Sequence, residues 1–334
     1  MSTISDTNTP NNAHPYERLS PDCILDALED VGFKPTGSLL ALNSYENRVY
    51  QISLEDDSFV IAKFYRPNRW SNDAILEEHD FSDELKQQDI PIVVPLRINN
   101  KTLFEFNGFR FAVFPRQGGR TPELEQTETL EQLGRFIGRM HAVGATRPFA
   151  NRPKISVENF GYDSLHFLLE NDFVSHEVRA NYQNSAEEAL RLVASRYEAI
   201  LPRNIRLHGD CHPGNLLWRD DAPHFVDLDD CRMGPAIQDL WMLLSGTNDE
   251  MSQQFRHILD GYETFFEFDL AELALIESLR TLRLLHYSAW LARRWADPAF
   301  PLHFPWFDSP RYWEEQMITL REQIERLQAP ILKL

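Results

Sequence analysis

Three cysteines in 334 residues, Cys23, Cys211 and Cys231, cannot form a disulfide framework. Their scarcity excludes a stapled secreted scaffold and fits a reducing cytoplasm. No run of about 18 apolar residues occurs, so no membrane span is expected. Residues 1–15 lack a basic start and an apolar stretch, so no secretory signal is expected. Their Asn/Thr/Ser/Pro-rich composition reads as a disordered tail, extended here to residue 18. Positive charge is in deficit: 33 Lys and Arg stand against 51 Asp and Glu, a net −18. That balance argues against a general affinity for nucleic acid or anionic membrane, although local donors and a metal ion can still gather a small polyanion. Neither a Walker loop nor a Gly-x-Ser-x-Gly elbow is present, and no fixed-period repeat is evident.

The chain has an ordinary globular composition, and its length exceeds what one hydrophobic core usually organises, so two lobes are expected. Ser20-Pro21-Asp22 reads as a helix start and Gly32 as its stop. Strand-like runs follow at 37–42, 48–54 and 59–65, then a helical stretch at 71–88. Two further runs, 102–106 and 109–114, flank Asn107-Gly108, a strong signal for a tight hairpin. Beyond an irregular stretch at 115–122 the pattern turns helical, with a helix expected within 185–200 and one or two buried helices over 271–295. The expectation is an α+β, two-lobed chain. A small antiparallel sheet with one helix occupies 19–115, and a larger, mainly helical lobe occupies 116–334.

Chemically capable residues concentrate between Leu207 and Asp230. His208-Gly209-Asp210 opens the segment and Asn215 lies five residues past the aspartate. Pro213 and Gly214 mark a loop. The runs 216–218 and 224–226 suggest a hairpin whose open end would bring Asn215 and Asp227 together. Hard oxygens so placed suit Mg²⁺. Asp210, beside rather than on the metal, could take the proton of an attacking hydroxyl. Lys63, mid-strand and sharing a face with Phe59, Ile61 and Tyr65, could hold phosphates and would need a carboxylate partner. Glu78 is the first choice and Glu77 the runner-up. His-x-Asp-x₄-Asn followed by strand, turn, strand and Asp is the catalytic-loop layout of a protein-kinase-like fold that uses ATP and Mg²⁺. A strand lysine alone is usually a solvated edge residue, and an Asp-rich loop alone is usually a turn; the combination carries the functional reading. A zinc site from His208, Cys211, His212 and Cys231 is the weaker alternative, because the spacing is irregular. Cys211 as a nucleophile is disfavoured by its acidic neighbours.

His208 to Asn215 with Phe225-Val226-Asp227 resembles the aminoglycoside phosphotransferase and choline kinase superfamily. Asn43 to Tyr50, Leu76 to His79 and Gly234 to Leu244 are similar to a bacterial stress-response Ser/Thr kinase branch of it. The resemblance implies Asp210 and Asp227 as catalytic residues, with Asn215 and Asp227 as the Mg²⁺ ligands. It further implies Lys63 as the phosphate lysine, Glu78 as its ion-pair partner and Ser44 in the loop over the nucleotide phosphates. Phe114 to Gln117, including Arg116, would form the adenine hinge, and Asp239 would brace the catalytic loop.

Departures from the protein-kinase pattern are plain. Residues 44–47 contain no glycine, Asp227-Leu228-Asp229 replaces Asp-Phe-Gly, and no Ala-Pro-Glu follows. Six residues separate Asp227 from Gly234, too few for a long activation loop. A protein Ser/Thr acceptor, or autophosphorylation, therefore comes from the resemblance alone. The rivals are a small-molecule hydroxyl kinase and a nucleotide-binding pseudokinase. The latter is disfavoured because Lys63, Asp210, Asn215 and Asp227 are all present. A cytoplasmic monomer is expected. Arg280, Arg283, His286, Trp290, Arg293 and Arg294 form either an acceptor surface or core aromatics with paired arginines.

Overall fold

The computed structural model describes residues 14–334, so the tail expected over 1–18 lies outside the described residues as far as residue 13. Tyr16 is buried, and its hydroxyl donates to Glu46 O at 3.1 Å and Phe64 O at 3.3 Å. The Ser20 hydroxyl caps α1 (Pro21–Asp30) by accepting from Cys23 N–H at 3.2 Å, and Gly32, at φ +100°, turns the chain out of it.

Five antiparallel strands follow in the order β1-β2-β3-β5-β4: β1 (Pro35–Ala41), β2 (Arg48–Leu54), β3 (Phe59–Phe64), β4 (Phe104–Phe106) and β5 (Phe109–Pro115). Asn107 and Gly108 both take positive φ between β4 and β5, as the tight hairpin requires. The two-residue period of β3 divides its faces. Val60, Ala62 and Phe64 pack with Ile52, Phe111 and Val113 against Ile24, Ala27 and Leu28 of α1. Ile61 and Lys63 are thereby turned to the opposite face, beneath which α2 (Asn72–Gln87) lies. Ser71 caps that helix by accepting from Ala74 N–H.

The remaining chain is mainly helical around one large core. α3 (Thr127–Gly144) packs on α6 (Asn248–Tyr262) so closely that a Cβ at Gly134 would lie 2.0 Å from Ile258 O. α4 (Asp163–Glu170), α5 (Arg179–Ile200), α7 (Ile276–Arg293), α8 (Ala299–His303) and α9 (Pro310–Gln328) complete it. Two short antiparallel pairs sit between the sheet and these helices: β6 (Ile205–Leu207) with β9 (Arg232–Gly234), and the hairpin β7 (Leu216–Arg219) with β8 (Ala222–Phe225). Asp220 and Asp221, both at positive φ, turn the hairpin. No helix of the described residues is long and apolar enough to cross a membrane.

Candidate active site

The loop after β6 is held from below. Buried Asp239 accepts from His208 N–H and Gly209 N–H, each at 2.8 Å, and from His141 Nε2 at 3.2 Å. Gln238 Nε2 donates to Gly209 O at 2.9 Å. The His208 ring closes the other side: Nε2 donates to Val226 O at 3.0 Å and Nδ1 accepts from Asp210 N–H at 3.4 Å. Gly209 has φ +85°, and a Cβ there would meet Asp230 O at 2.2 Å. Gly209→Ala is therefore expected to cost about 2–3 kcal/mol, from left-handed strain plus a backbone clash. A lowered denaturation midpoint would register it, and an unchanged one would refute the close approach.

Asp210 emerges from this cradle. Its carboxylate accepts from Arg283 Nη1 of α7 at 2.7 Å and lies 3.4 Å from His212 Nε2. Burial raises its pKa, but His212 and Arg283 outweigh that and hold the carboxyl well below the ordinary range. Asn215 Nδ2 donates to Asp210 O at 3.0 Å, which commits the amide nitrogen and leaves Oδ1 as an acceptor. Leu216 pairs with Phe225, and Val226 N–H donates to Asn215 O at 3.1 Å, so the open end of the hairpin sets Asp227 beside Asn215. Asp227 takes φ 61°, a left-handed conformation that aspartate tolerates better than most residues.

Lys63 Nζ sits among three carboxylates: Asp227 at 2.9 Å, Asp229 at 3.3 Å and Glu78 at 3.5 Å. Burial works against its charge, yet these neighbours hold the ammonium well above its ordinary pKa. Glu78 is itself raised by burial, although Lys63 and Arg152, the latter at 2.9 Å, oppose the shift. Glu77 is committed elsewhere, accepting from the backbone N–H groups of Ala150, Asn151 and Arg152 at 2.6 to 3.0 Å. The pairing left open between the two glutamates thus falls to Glu78.

A cavity of about 300 Å³ opens above this group, between the sheet and the β7–β8 hairpin. Leu42, Val49, Ile61, Val93, Phe114 and Leu217 give it an apolar slot, while Lys63, Asn215 and Asp227 line its polar end. Ser44 lines it too, from the turn between β1 and β2. No described residue of 42–47 needs positive φ, so this turn does without glycine. It is fastened ionically instead. Glu46 pairs with Arg66 at 3.0 Å and Arg294 at 2.8 Å, and Asn47 Oδ1 accepts from Arg66 N–H at 3.1 Å. Tyr45 packs edge-on against His303 and Phe304.

Arg116 is not brought to the cavity. It lies two residues past Phe114 and beyond the end of β5, with its guanidinium over the Phe59 ring at 5.1 Å. The zinc grouping is not formed either. Among the described residues, the one group of three His, Cys, Asp or Glu close enough to share an ion is Glu131, His257 and Asp260. Burial, with Asp239 and Asp210, pushes the Cys211 thiol well up, away from a nucleophilic thiolate. The basic group on α7 divides. Arg294 and Trp290 bind Glu46, partly buried His286 stacks on Phe160, and Arg283 reaches Asp210. Sequence reasoning missed Asp229, Arg69 and Arg152, a buried ionic set joining α2, the sheet and the loop after β8. The carboxylate run Asp227 to Asp230 was the available signal.

Residues 38–276 match the family model described as "Phosphotransferase enzyme family". Stress response kinase A of Escherichia coli (strain K12) is 45% identical over 324 residues, covering 97% of this chain and 98% of that protein. The "Serine/threonine protein kinase RdoA" of Salmonella typhimurium is 44% identical over the same shares. Among solved structures, amicoumacin kinase hAmiN in complex with AMP-PNP, Ca²⁺ and Ami has a TM-score of 0.67 at 20% identity. The likeness covers 92% of this chain and 93% of that one, and it shows a shared fold.

Proposed function

This chain belongs to the phosphotransferase enzyme family, and on that premise we propose that it is an ATP- and Mg²⁺-dependent Ser/Thr protein kinase. The observation that carries the reading is the convergence of Lys63, Asn215 and Asp227 at one end of an apolar slot, with Asp210 adjoining Asn215. In it, the slot takes adenine, Lys63 and Ser44 face the phosphates, and Phe114 contributes to the adenine wall. The acceptor hydroxyl oxygen attacks the γ-phosphorus, the bond to the β-phosphate oxygen breaks to leave ADP, and Asp210 takes the hydroxyl proton. The donor set fits Mg²⁺: Asn215 keeps its oxygen free, and the Asp227 carboxylate, a hard oxygen donor beside it, is half exposed on the cavity wall. Bound by Asn215 and Asp227, the ion would neutralise charge on the phosphate oxygens.

The protein acceptor, a role in a stress response and a cytoplasmic setting follow the relatives' names and the sequence reading. The small-molecule reading has one observation in its favour. Asp227 is followed at once by a turn and β9, leaving no long segment for docking a peptide. Transfer of labelled phosphate from ATP to a generic protein substrate, run beside small alcohols and aminoglycosides, tests the choice. Phosphate on serine or threonine supports a protein acceptor; rapid turnover of a small alcohol alone overturns it.

Ser44 gives a second test. Ser44→Ala is expected to perturb ATP affinity mildly, because a single hydroxyl contact to the phosphates is lost. Ser44→Asp should reduce it strongly, by placing a carboxylate against the phosphates, as would phosphorylation with roughly −1.5 to −2 charges. Titration calorimetry with Mg·ATP measures both, and equal affinities for the two variants would remove Ser44 from the phosphate loop.

A further inference from the structure

A second cavity, of about 360 Å³, lies outside the nucleotide slot between α7 and α9. Its wall carries three guanidiniums, Arg280, Arg283 and Arg326, against a single carboxylate, Glu322; Trp241 and Tyr287 supply aromatic faces. In a chain of net charge −18 this is a local reversal of sign. Arg283 belongs to both places at once: it lines this cavity and donates to Asp210 at 2.7 Å. The cavity therefore begins one side chain away from the carboxylate assigned to the acceptor hydroxyl.

Two of the arginines have internal partners and one has none: Arg280 stacks over Trp241 at 5.3 Å and pairs through Nε with Glu277 at 3.4 Å, Arg283 pairs with Asp210, and Arg326 forms no ion pair among the described residues. The Arg283 side chain is 45% exposed, so its pair with Asp210 is weak and readily exchanged. Guanidiniums in a shared, partly desolvated recess suit a planar carboxylate, which can accept two parallel hydrogen bonds.

We propose that this cavity selects the phosphate acceptor by its negative charge: a serine or threonine peptide with a glutamate or aspartate near the hydroxyl, held by Arg280, Arg283 and Arg326. The proposal rests on the kinase reading above and names the substrate class of that site. A carboxylate entering the cavity competes with Asp210 for Arg283, so acceptor binding itself draws the arginine off Asp210 and leaves that oxygen facing the hydroxyl.

The test uses the full chain with Mg·ATP and two serine peptides that differ only in flanking glutamates against glutamines. The acidic peptide is expected to be phosphorylated with a kcat/KM higher by about tenfold, mostly through KM, an advantage that shrinks as salt rises. Arg326→Gln, at an exposed position, and the Arg280→Gln/Arg326→Gln double variant should reduce the preference stepwise. Equal efficiency for the two peptides, or a preference unchanged in the double variant, overturns the inference while leaving the kinase reading intact. If only small alcohols are phosphorylated, the protein acceptor falls. The charge rule is then decided by a hydroxy acid against its amide, and equal rates overturn it. Calorimetry of both peptides with AMP-PNP in place gives the same decision without turnover, equal affinity again being fatal.

Discussion

Asp210→Asn is expected to lower turnover by roughly 10²–10⁴-fold, the usual span for a lost general base, with Mg·ATP affinity nearly unchanged. The separation of effects follows from the contacts. Asp210 touches Asn215 through its backbone carbonyl, which the substitution keeps, and its carboxylate meets Arg283 and His212, away from Lys63. The scaffold beneath it is independent of that side chain, because Asp239, Gln238 and His208 hold the loop through backbone atoms. Stability should change by no more than about 1 kcal/mol, since Arg283 is left partly exposed to water. Single-turnover transfer and nucleotide calorimetry on the same preparation separate the two effects. A folded Asp210→Asn protein with full transfer would remove Asp210 from the chemistry.

The parts of this site legible in the sequence share a cause: each depends on local order plus one regular period. Strand alternation puts Lys63 on the face opposite the Ile24 and Leu28 packing. A helix following that strand brings Glu78 under it, and a short hairpin closes Asn215 against Asp227. Within the hinge stretch, Phe114, Pro115 and Gln117 line the cavity while Arg116 turns the other way, onto Phe59, a choice of side that a continuous stretch of sequence does not reveal. Arg152, Arg69, Glu46 and Arg283 were not legible as partners. Their contacts join residues 74, 160, 248 and 73 positions apart, and no periodicity connects such segments. The glycine-free turn at 42–47 shows the consequence. Its missing glycines are visible in the sequence, but of the two arginines that fasten it, Arg66 comes from just past β3 and Arg294 reaches Glu46 only when the helical part folds against the sheet.

Asp227 and Asp229 offer the sharper test, because both touch Lys63 and the two should fail in different ways. The Asp227 side chain is 51% exposed and lines the nucleotide cavity, whereas that of Asp229 is 4% exposed and salt-bridged to Arg69. Asp227→Asn keeps a residue that tolerates the left-handed backbone there, and Lys63 retains Glu78 and Asp229, so the fold should persist. Its Mg²⁺-dependent ATP affinity should fall by about 100-fold or more, since even outer-shell partners of metal ligands typically cost 10–100-fold. Asp229→Asn instead leaves Arg69 with Asp230 and a longer contact to Glu46, and weakens the charge set around Lys63. Breaking such a buried pair costs about 3–5 kcal/mol, so that variant should lose melting temperature first. Burial raises the Asp229 carboxyl, but Arg69 and Lys63 overcome it and hold the group below its ordinary range, so Asp229→Asn removes a charge. Calorimetry with and without Mg²⁺, beside thermal melts of both variants, distinguishes the two. Unchanged Mg·ATP affinity in Asp227→Asn, with loss confined to Asp229→Asn, would move the metal site two residues along the chain and off the open end of the hairpin.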